Sequence, residues 1–461
     1  MSAPRIELKP VMECALGSPV GQLRAAPVGL GAGAPRAFLV AYAADFDVDP
    51  YHEMFFFPTD TLKLVLFDTR GRELWRRDLG KGVVPGLWFC PFLPFDLDGD
   101  GVDEIWFVNN LEPRHPLGLS HYRLERLDAA TGRTTGQWPW PAKGPAQSIS
   151  HMYRNFLLGG HVRGEPVLVT AQGTYGDMFL QGWRPGLAAR WETVIARDAP
   201  GARGSHQTPV VDLDGDGCDE FFWGERCLRF DTGAEVFCAD ADSYRGHSDV
   251  IQPLLDRHDG RWYFYTCRES EDRSAPRVAL YDDRGRRVWG ALERGHIDMG
   301  WVAHLRGELG LAAMAIRIGK KTCGPDGRFH QDMERFAYDA RTGRSVELPF
   351  DPYMSVPVDL DGDGWHELYR GQAGVDVGGE VLDATGRILA DVKGHEALAC
   401  KFCDLPGEQL LIFDAAGALR VWADERAEDR DAARARYAHP FYAANRRLTG
   451  TGYNLRTLGG L

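Results

Sequence analysis

Apolar residues alternate with polar ones in short runs along the chain, as in LVLFD (64–68), EIWFV (104–108), VLVTA (167–171), EFFWG (220–224), VALYD (278–282) and LLIFD (410–414). A period of two, bounded by Gly- and Asp-rich turns, predicts strands. Only ADERAEDRDAARARY (423–437) reads as helical, and its charge predicts a solvated surface helix.

The strands belong to a repeat. An Asp-rich loop occurs at Asp96–Glu104, Asp212–Glu220 and Asp359–Glu367, with a weaker copy at Asp45–Glu53. Each is followed by a short strand. Four further segments keep the apolar frame without the aspartates: 159–171, 254–266, 303–315 and 402–413. A hairpin with a D-x-x-G turn, often ending in Trp, then follows, as in LVLFDTRGRELW (64–75) and VALYDDRGRRVW (278–289). Glycine supplies the positive φ such turns need. Units recurring about every fifty residues predict an all-β chain forming a single eight-bladed β-propeller over 1–461. Seven blades are the alternative if one degenerate unit is not a repeat. A strand within about residues 5–25 is expected to pair with the C-terminal blade and close the ring, because an open sheet edge is a liability.

The chain has 461 residues, 44% hydrophobic and 26% charged, with 53 Lys+Arg against 66 Asp+Glu and a net charge of −13. No apolar run reaches the roughly 20 residues that span a bilayer, so a membrane partner is not expected. The acidic balance also argues against nucleic acid. MSAPRIELKPVMEC carries no basic and then apolar leader, and the nine cysteines show no disulfide-scaffold spacing, so a cytoplasmic, reduced protein is expected. Cys400 and Cys403 form one CxxC inside an apolar run, where buried packing is the expected role.

Aspartates at loop positions one, three and five, with glycines at four and six, form an oxygen cage for a hard cation. The candidate ligands are Asp96, Asp98 and Asp100 with the Val102 carbonyl; Asp212, Asp214 and Asp216 with Cys218; and Asp359, Asp361 and Asp363 with Trp365. Asp45, Asp47 and Asp49 form the degenerate fourth set. Position twelve holds Phe107, Trp223 and Arg370 rather than the glutamate of an EF-hand. Three or four structural calcium ions are therefore expected.

Overlaying the units places His151, His206, His247, His296 and His395 just ahead of the innermost strands, with Trp88 and Tyr353 in the same place elsewhere. Tyr153, Arg154, Asn155, Asp249 and Asp298 lie beside them, and Tyr175 follows the third unit's strand. Such groups converging on one mouth of the channel suit acid–base or metal chemistry. A hydrogen-bonded plug of polar side chains is the competing reading.

The ordered series LFDTRGRELWRRDLGKGVVPG, YRNFLLGGHVRGEPVLVTAQGTY, GSHQTPVVDLDGDGCDEFFWG, RGHSDVIQPLLD and YAHPFYAANRRLTGTGYN resembles the rhamnogalacturonan lyases of polysaccharide lyase family eleven. The resemblance implies an eight-bladed propeller with several calcium ions, cleaving rhamnogalacturonan by β-elimination. It also implies that His206 and His247, with Asp249 alongside, hold a further divalent cation at the active cleft. Two basic positions of that family's pattern fall on Trp301 and Glu396, and the family's extra N-terminal β-module is not seen. A smaller, imported oligosaccharide is the expected substrate. For elimination, His151, Tyr153 or Tyr175 would serve as base or acid, and Arg154 or the cation would offset the uronate carboxylate. A glycoside hydrolase is the alternative, with carboxyls from Asp249, Asp298 and Glu396. In either case His296 and His395 would line the mouth, and Trp88, Trp301 and Tyr353 would offer an aromatic platform. A third reading is a non-catalytic, calcium-stabilised sugar-binding propeller.

Overall fold

The computed structural model describes residues 6–112, 115–141, 148–269, 275–323, 329–371 and 378–461. They form eight antiparallel sheets, seven of four strands and one of three. Blade 1 runs Gln22–Val28, Ala37–Ala43, Lys63–Asp68 and Glu73–Asp78, each strand paired to the next. The first strands of blades 2 to 8 are Phe92–Phe95, Asn155–Val162, Val210–Val211, Ser248–Leu255, His296–His304, Ser355–Val358 and His395–Cys400. First strands of neighbouring blades touch one another around a central channel, which makes the architecture an eight-bladed β-propeller. The three-stranded sheet is blade 6.

Leu8–Ala15 pairs antiparallel with Ala418–Asp424 and supplies the outermost strand of blade 8. Gln22–Val28 takes no part in this closure; it opens blade 1 as that blade's inner strand. The helix in the charged segment is Asp431–Ala438.

The D-x-x-G…W signature has a packing cause. Trp75, at the end of blade 1, donates its indole N–H to the Ala129 carbonyl of blade 2 at 2.7 Å. Its ring lies where a side chain on Gly132 would be, since a Cβ there would meet Trp75 at 2.5 Å. Trp191 repeats this with Phe230 O (2.8 Å) and Gly233, and Trp289 with Ala340 O (2.8 Å) and Gly343. Each tryptophan thus stitches its blade to the hairpin of the next, and glycine there gives both the turn and the room.

The loops at 96–103, 212–219 and 359–366 join the inner to the second strand of blades 2, 4 and 7. The corresponding connection in blade 1 is 29–36 (GLGAGAPR), which has no aspartate. Asp45–Glu53 instead joins the second strand to the third, at the opposite end of the blade. Alternating apolar residues mark strands but not their direction, which is why this segment looked like a fourth copy of the loop.

Beyond blade 8 the chain forms Asp431–Ala438 and Pro440–Asn445, then two 3₁₀ turns, Leu448–Gly450 and Asn454–Gly460, that thread the central channel. Hydrogen bonds tie this segment to many inner strands. Leu157 N–H donates to Thr451 Oγ1 (3.2 Å), Thr208 N–H to Asn454 Oδ1 (3.1 Å), Val210 N–H to Asn445 Oδ1 (3.0 Å), and Arg24 Nη1 to Gly450 O (3.2 Å). The glycines of this segment let backbone pass backbone. A Cβ on Gly450 would sit 2.4 Å from Phe92 O, on Gly459 2.4 Å from Val302 O, and on Gly460 2.0 Å from Pro253 O. Gly452 has φ +59° as well, and its Cβ would meet His206 O at 2.4 Å. Gly452→Ala should therefore lower unfolding free energy by about 2–4 kcal/mol, from left-handed backbone strain plus overpacking, as read by denaturant titration.

Candidate functional site

In a four-stranded meander, the segment entering the inner strand and the connection between the second and third strands lie at the same end. At this mouth of the channel they enclose a cavity of about 950 Å³. The entering segments contribute Arg154, His206, Asp249, His296, Asp298 and Glu396 to its walls. The second-to-third connections contribute Asp49 and Tyr51 to Met54 from blade 1, Tyr175 from blade 3 and Glu269 from blade 5. The threading C-terminal segment adds Tyr453 and Arg456.

Asp249, beside His247 at the start of blade 5, is the hub. Its Oδ1 lies 2.9 Å from His206 Nδ1 and 4.0 Å from His247 Nδ1, and its Oδ2 lies 3.2 Å from His296 Nε2. Glu269 Oε2 lies 2.9 Å from His247 Nδ1 and accepts a 2.6 Å hydrogen bond from the Tyr175 hydroxyl. His296 Nε2 is also 3.2 Å from Asp298 Oδ1. Arg154 donates to Asp49 Oδ1 at 3.0 Å and lies 3.2 Å from His206 Nε2, and its guanidinium stacks 4.9 Å above Trp88. The Trp88 indole N–H in turn holds Asp49 Oδ2 at 3.1 Å. Tyr175 stacks on His247 with ring centres 4.3 Å apart. A tyrosine at φ +73° sits in sparsely populated backbone space, and such strain concentrates at working sites.

Burial sets the charges. It lowers His206 to about 3, with Arg154 adding, and His247 to about 4, with His206 adding, so both rings are neutral near pH 7. Burial raises Asp249 to about 7, reinforced by Glu269. For His296, burial works downward, but hydrogen bonds with Asp249 and Asp298 outweigh it and raise the ring to about 10. Burial would raise Glu269, but the hydrogen bond with His247 prevails and holds it well below the usual carboxylate range.

This donor set fits a divalent cation. One atom from each of His206, His247, Asp249 and Glu269 lies within 4.8 Å of the others, the two imidazoles are neutral, and carboxylates outnumber arginines on the cavity wall. As it stands Arg154 donates to His206 Nε2 (3.2 Å), so the proton of the neutral ring is on Nδ1, toward Asp249 Oδ1 (2.9 Å), and a cation taken by Nδ1 would displace that proton.

Arg154, Tyr175, His206, His247, Asp249, His296, Asp298 and Glu396 are brought together here. Others are not. His151 is buried, with its Nε2 bonded to Asp177 O at 2.9 Å, and the Tyr153 hydroxyl is spent on Leu117 O within the aromatic core. Trp88 and Trp301 are 0% exposed, so neither forms a platform open to a sugar; Trp88 is the floor under Arg154 and His206, and Trp301 bonds Ser355 Oγ at 2.9 Å. Tyr353 is half-buried among blade 6 and 7 side chains, and the His395 ring packs 5.3 Å from Phe413. Cys400 and Cys403 are both buried in the apolar core. Glu269, Tyr453 and Arg456 escaped the sequence reading. Glu269 holds in blade 5 the connection that Tyr175 holds in blade 3, so overlaying those connections would have found it.

No protein-family model matches the chain. Over 271 residues it is 27% identical to the rhamnogalacturonan exolyase YesX of Bacillus subtilis (strain 168), covering 51% of this chain and 43% of that protein. Over 269 residues it is 26% identical to the endolyase YesW of the same organism, covering 51% and 42%. The chain is similar to rhamnogalacturonan lyases. In these matches it spans less than half the length of either curated relative. The fold agrees across nearly the whole chain. The crystal structure of the exotype lyase YesX superposes with a TM-score of 0.73 at 18% identity, covering 96% of this chain and 80% of that one. The Bacillus licheniformis rhamnogalacturonan lyase PL11 gives 0.73 at 19%, covering 98% and 81%.

The Asp-rich loops lie at the other end of the blades. In the first, Asp96 Oδ1 accepts from Gly99 N–H (2.7 Å) and Oδ2 from Gly101 N–H (2.8 Å); Asp212 repeats the pattern, while Asp359 accepts from Asp363 N–H on Oδ1 (3.1 Å) and Gly364 N–H on Oδ2 (2.9 Å). Asp96, Asp98 and Asp100 converge, as do Asp212, Asp214 and Glu220. In the third loop, Arg306 pairs with Asp361 (3.0 Å) and Asp363, while Arg436 lies 3.6 Å from Asp359. Asp45, Asp47 and Asp49 do not converge: Asp45 caps Thr59 and Asp60, Asp47 accepts from Leu87 N–H at 2.8 Å, and Asp49 holds Arg154. Cation binding at the mouth is expected to depend on its buried imidazoles: His247→Ala should weaken Mn²⁺ or Ca²⁺ binding by more than about 100-fold in calorimetric titration, beyond what losing a supporting residue costs.

Proposed function

We propose that the protein is a polysaccharide lyase that cleaves a rhamnogalacturonan-like glycan by β-elimination at the mouth of the channel. The observation that carries this reading is the convergence of His206, Asp249, Glu269, Arg154 and Tyr175 on one cavity, with His247 buried against Glu269 and Tyr175 just behind its wall. The likeness to named rhamnogalacturonan lyases supports it.

β-Elimination removes the proton α to the uronate carboxylate, forms the C4–C5 double bond and expels the C4 oxygen. Arg154 and Arg456 line the cavity as cationic partners for the carboxylate. A divalent cation held by the His206, His247, Asp249 and Glu269 cluster would further acidify the C5 proton by neutralising that carboxylate. Tyr175, on the cavity wall with the Arg154 guanidinium 5.5 Å over its ring, takes the C5 proton as the phenolate, a form that the guanidinium favours, its hydroxyl proton having first left to solvent. His296, protonated between Asp249 and Asp298, donates to the departing C4 oxygen. Glu396, a carboxyl that hydrolysis would have called on, faces Arg456 at 3.7 Å.

Incubation with rhamnogalacturonan should therefore produce the ultraviolet absorbance of a conjugated unsaturated uronate. Tyr175→Phe should reduce its rate by about 10²–10⁴-fold, the usual contribution of a positioned proton-transfer group. New reducing ends without absorbance would establish hydrolysis instead.

Calcium is proposed at the loops of blades 2 and 4, in a structural role. In the third loop Arg306 pairs with Asp361 and Asp363 and the buried Arg436 lies beside Asp359, so an arginine faces each of the three aspartates. Chelation should lower the melting temperature, and Asp98→Asn with Asp214→Asn should abolish that calcium-dependent shift, whereas Asp361→Asn should leave it intact.

A further inference from the structure

The buried tryptophans cannot face a sugar, yet a different aromatic surface stands open beside the cavity. The blade 1 connection reads FDVDPYHEMFFFP (46–58), and it exposes Tyr51 (42%), Met54 (36%), Phe56 (38%) and Phe57 (61%). Soluble proteins rarely expose large apolar side chains in so short a stretch without a binding role. Tyr51 and Met54 belong to both the cavity wall and this surface, so the two are continuous.

The surface is held rigidly. Tyr51 N–H donates to Asp49 Oδ1 at 2.7 Å, and Asp49 is the carboxylate that fixes Arg154. Met54 N–H and Phe55 N–H both return to Tyr51 O at 2.9 Å, closing a tight turn. The Phe57 ring stands edge-on to Phe55 at 5.1 Å, and Phe55 packs at 6.1 Å on the buried Phe89. Rings fixed before binding lose little entropy when a partner settles on them.

We propose that this connection is an aromatic platform for the outer pyranose rings of a glycan whose reacting unit occupies the cavity. The proposal rests on the reading of the cavity as a glycan site. Pyranoses present an apolar C–H face that packs on an aromatic ring, while their edge hydroxyls seek polar partners. His52 and Glu53, on the cavity wall between Tyr51 and Met54, supply such partners. The platform gives the protein a preference for chains long enough to reach beyond the cavity, rather than for the small oligosaccharide that the sequence suggested.

The test is affinity electrophoresis in gels containing rhamnogalacturonan, together with steady-state kinetics on the polymer and on its shortest cleavable fragment. The double variant Phe56→Ala/Phe57→Ala removes two exposed rings outside the cavity, and Phe57→Tyr is the rescue control. Retardation of the wild type should fall about tenfold in apparent affinity in the double variant and return in Phe57→Tyr. KM for the polymer should rise by a similar factor while turnover of the shortest fragment holds. No retardation of the wild type, unchanged retardation in the double variant, or equal losses on both substrates would overturn the platform. A wild-type dimer that the double variant dissolves would also overturn it, in favour of an interface between copies. Because retardation needs no turnover, a glycan that binds through these rings without being cleaved would refute the lyase and leave the platform standing.

Discussion

Backbone passing backbone inside the central channel is the constraint on which the site depends. Eight inner strands leave a hole at the centre of the ring, and residues 445–461 fill it with chain rather than with side chains alone. Filling it this way brings the C-terminal segment against carbonyls that cannot move, hence the glycines at 450, 452, 459 and 460. The same thread holds His206 and its neighbour: Tyr453 N–H donates to His206 O at 2.7 Å, and Gln207 Nε2 to Tyr453 O at 3.0 Å. The floor of the cavity and the lock on the ring are thus one segment.

A floor made of chain excludes water from below, and this accounts for the electrostatics. His247 is fully buried and Asp249 nearly so, while Trp88 closes off His206 from beneath. With no water to stabilise imidazolium, two histidines stay neutral and keep lone pairs to offer. His296, more open and flanked by two carboxylates, goes the other way. Neighbouring histidines of one repeat family therefore take opposite protonation states according to how far each sits from solvent and from carboxylate, a separation that acid–base chemistry exploits.

The repeat was legible because it is written in two local signals, period-two strands and the D-x-x-G…W hairpin, and both have direct structural causes. Its phase was less legible. Strand alternation is the same read from either end, so Asp45–Glu53 passed for an inner-corner loop although it belongs to the mouth. The same blindness to depth cast Trp88 and Trp301 as open platforms, because an aromatic ahead of an inner strand can point into the mouth or into the blade interface. Of the mouth's chemistry, the sequence revealed the histidines and their GHSD and GHID neighbours. Glu269 was hidden because it follows a second strand, in the connection that holds Tyr175 in blade 3, rather than leading into an inner strand as the histidines do. Arg456 and Tyr453 were hidden because TGTGYNLRTLGG has neither strand nor helix periodicity. Only the ring itself gives that segment a place.

One loop motif with two sets of partners shows how the thread is anchored. Asp98 and Asp100 lie open to solvent at the corner of blade 2, whereas Asp359 is 0% and Asp363 6% exposed in blade 7. What covers the latter is Asp431–Ala438, the helix that precedes the thread. Its Arg436 is buried among Asp359, Glu408 and His366. In that loop the eighth position is His366, whereas Asp103 and Asp219 at the same place cap Gly29 N–H (2.6 Å) and His161 N–H (2.7 Å) of the preceding blades. A carboxylate there would add to an already crowded negative cluster, while an imidazole can accept from the guanidinium. Burying a charge without a partner costs several kcal/mol, of order 3–5, so Arg436 cannot leave this loop once the helix is docked. The loop therefore fixes where the chain turns inward, and through it the position at which Tyr453 and Arg456 reach the opposite mouth.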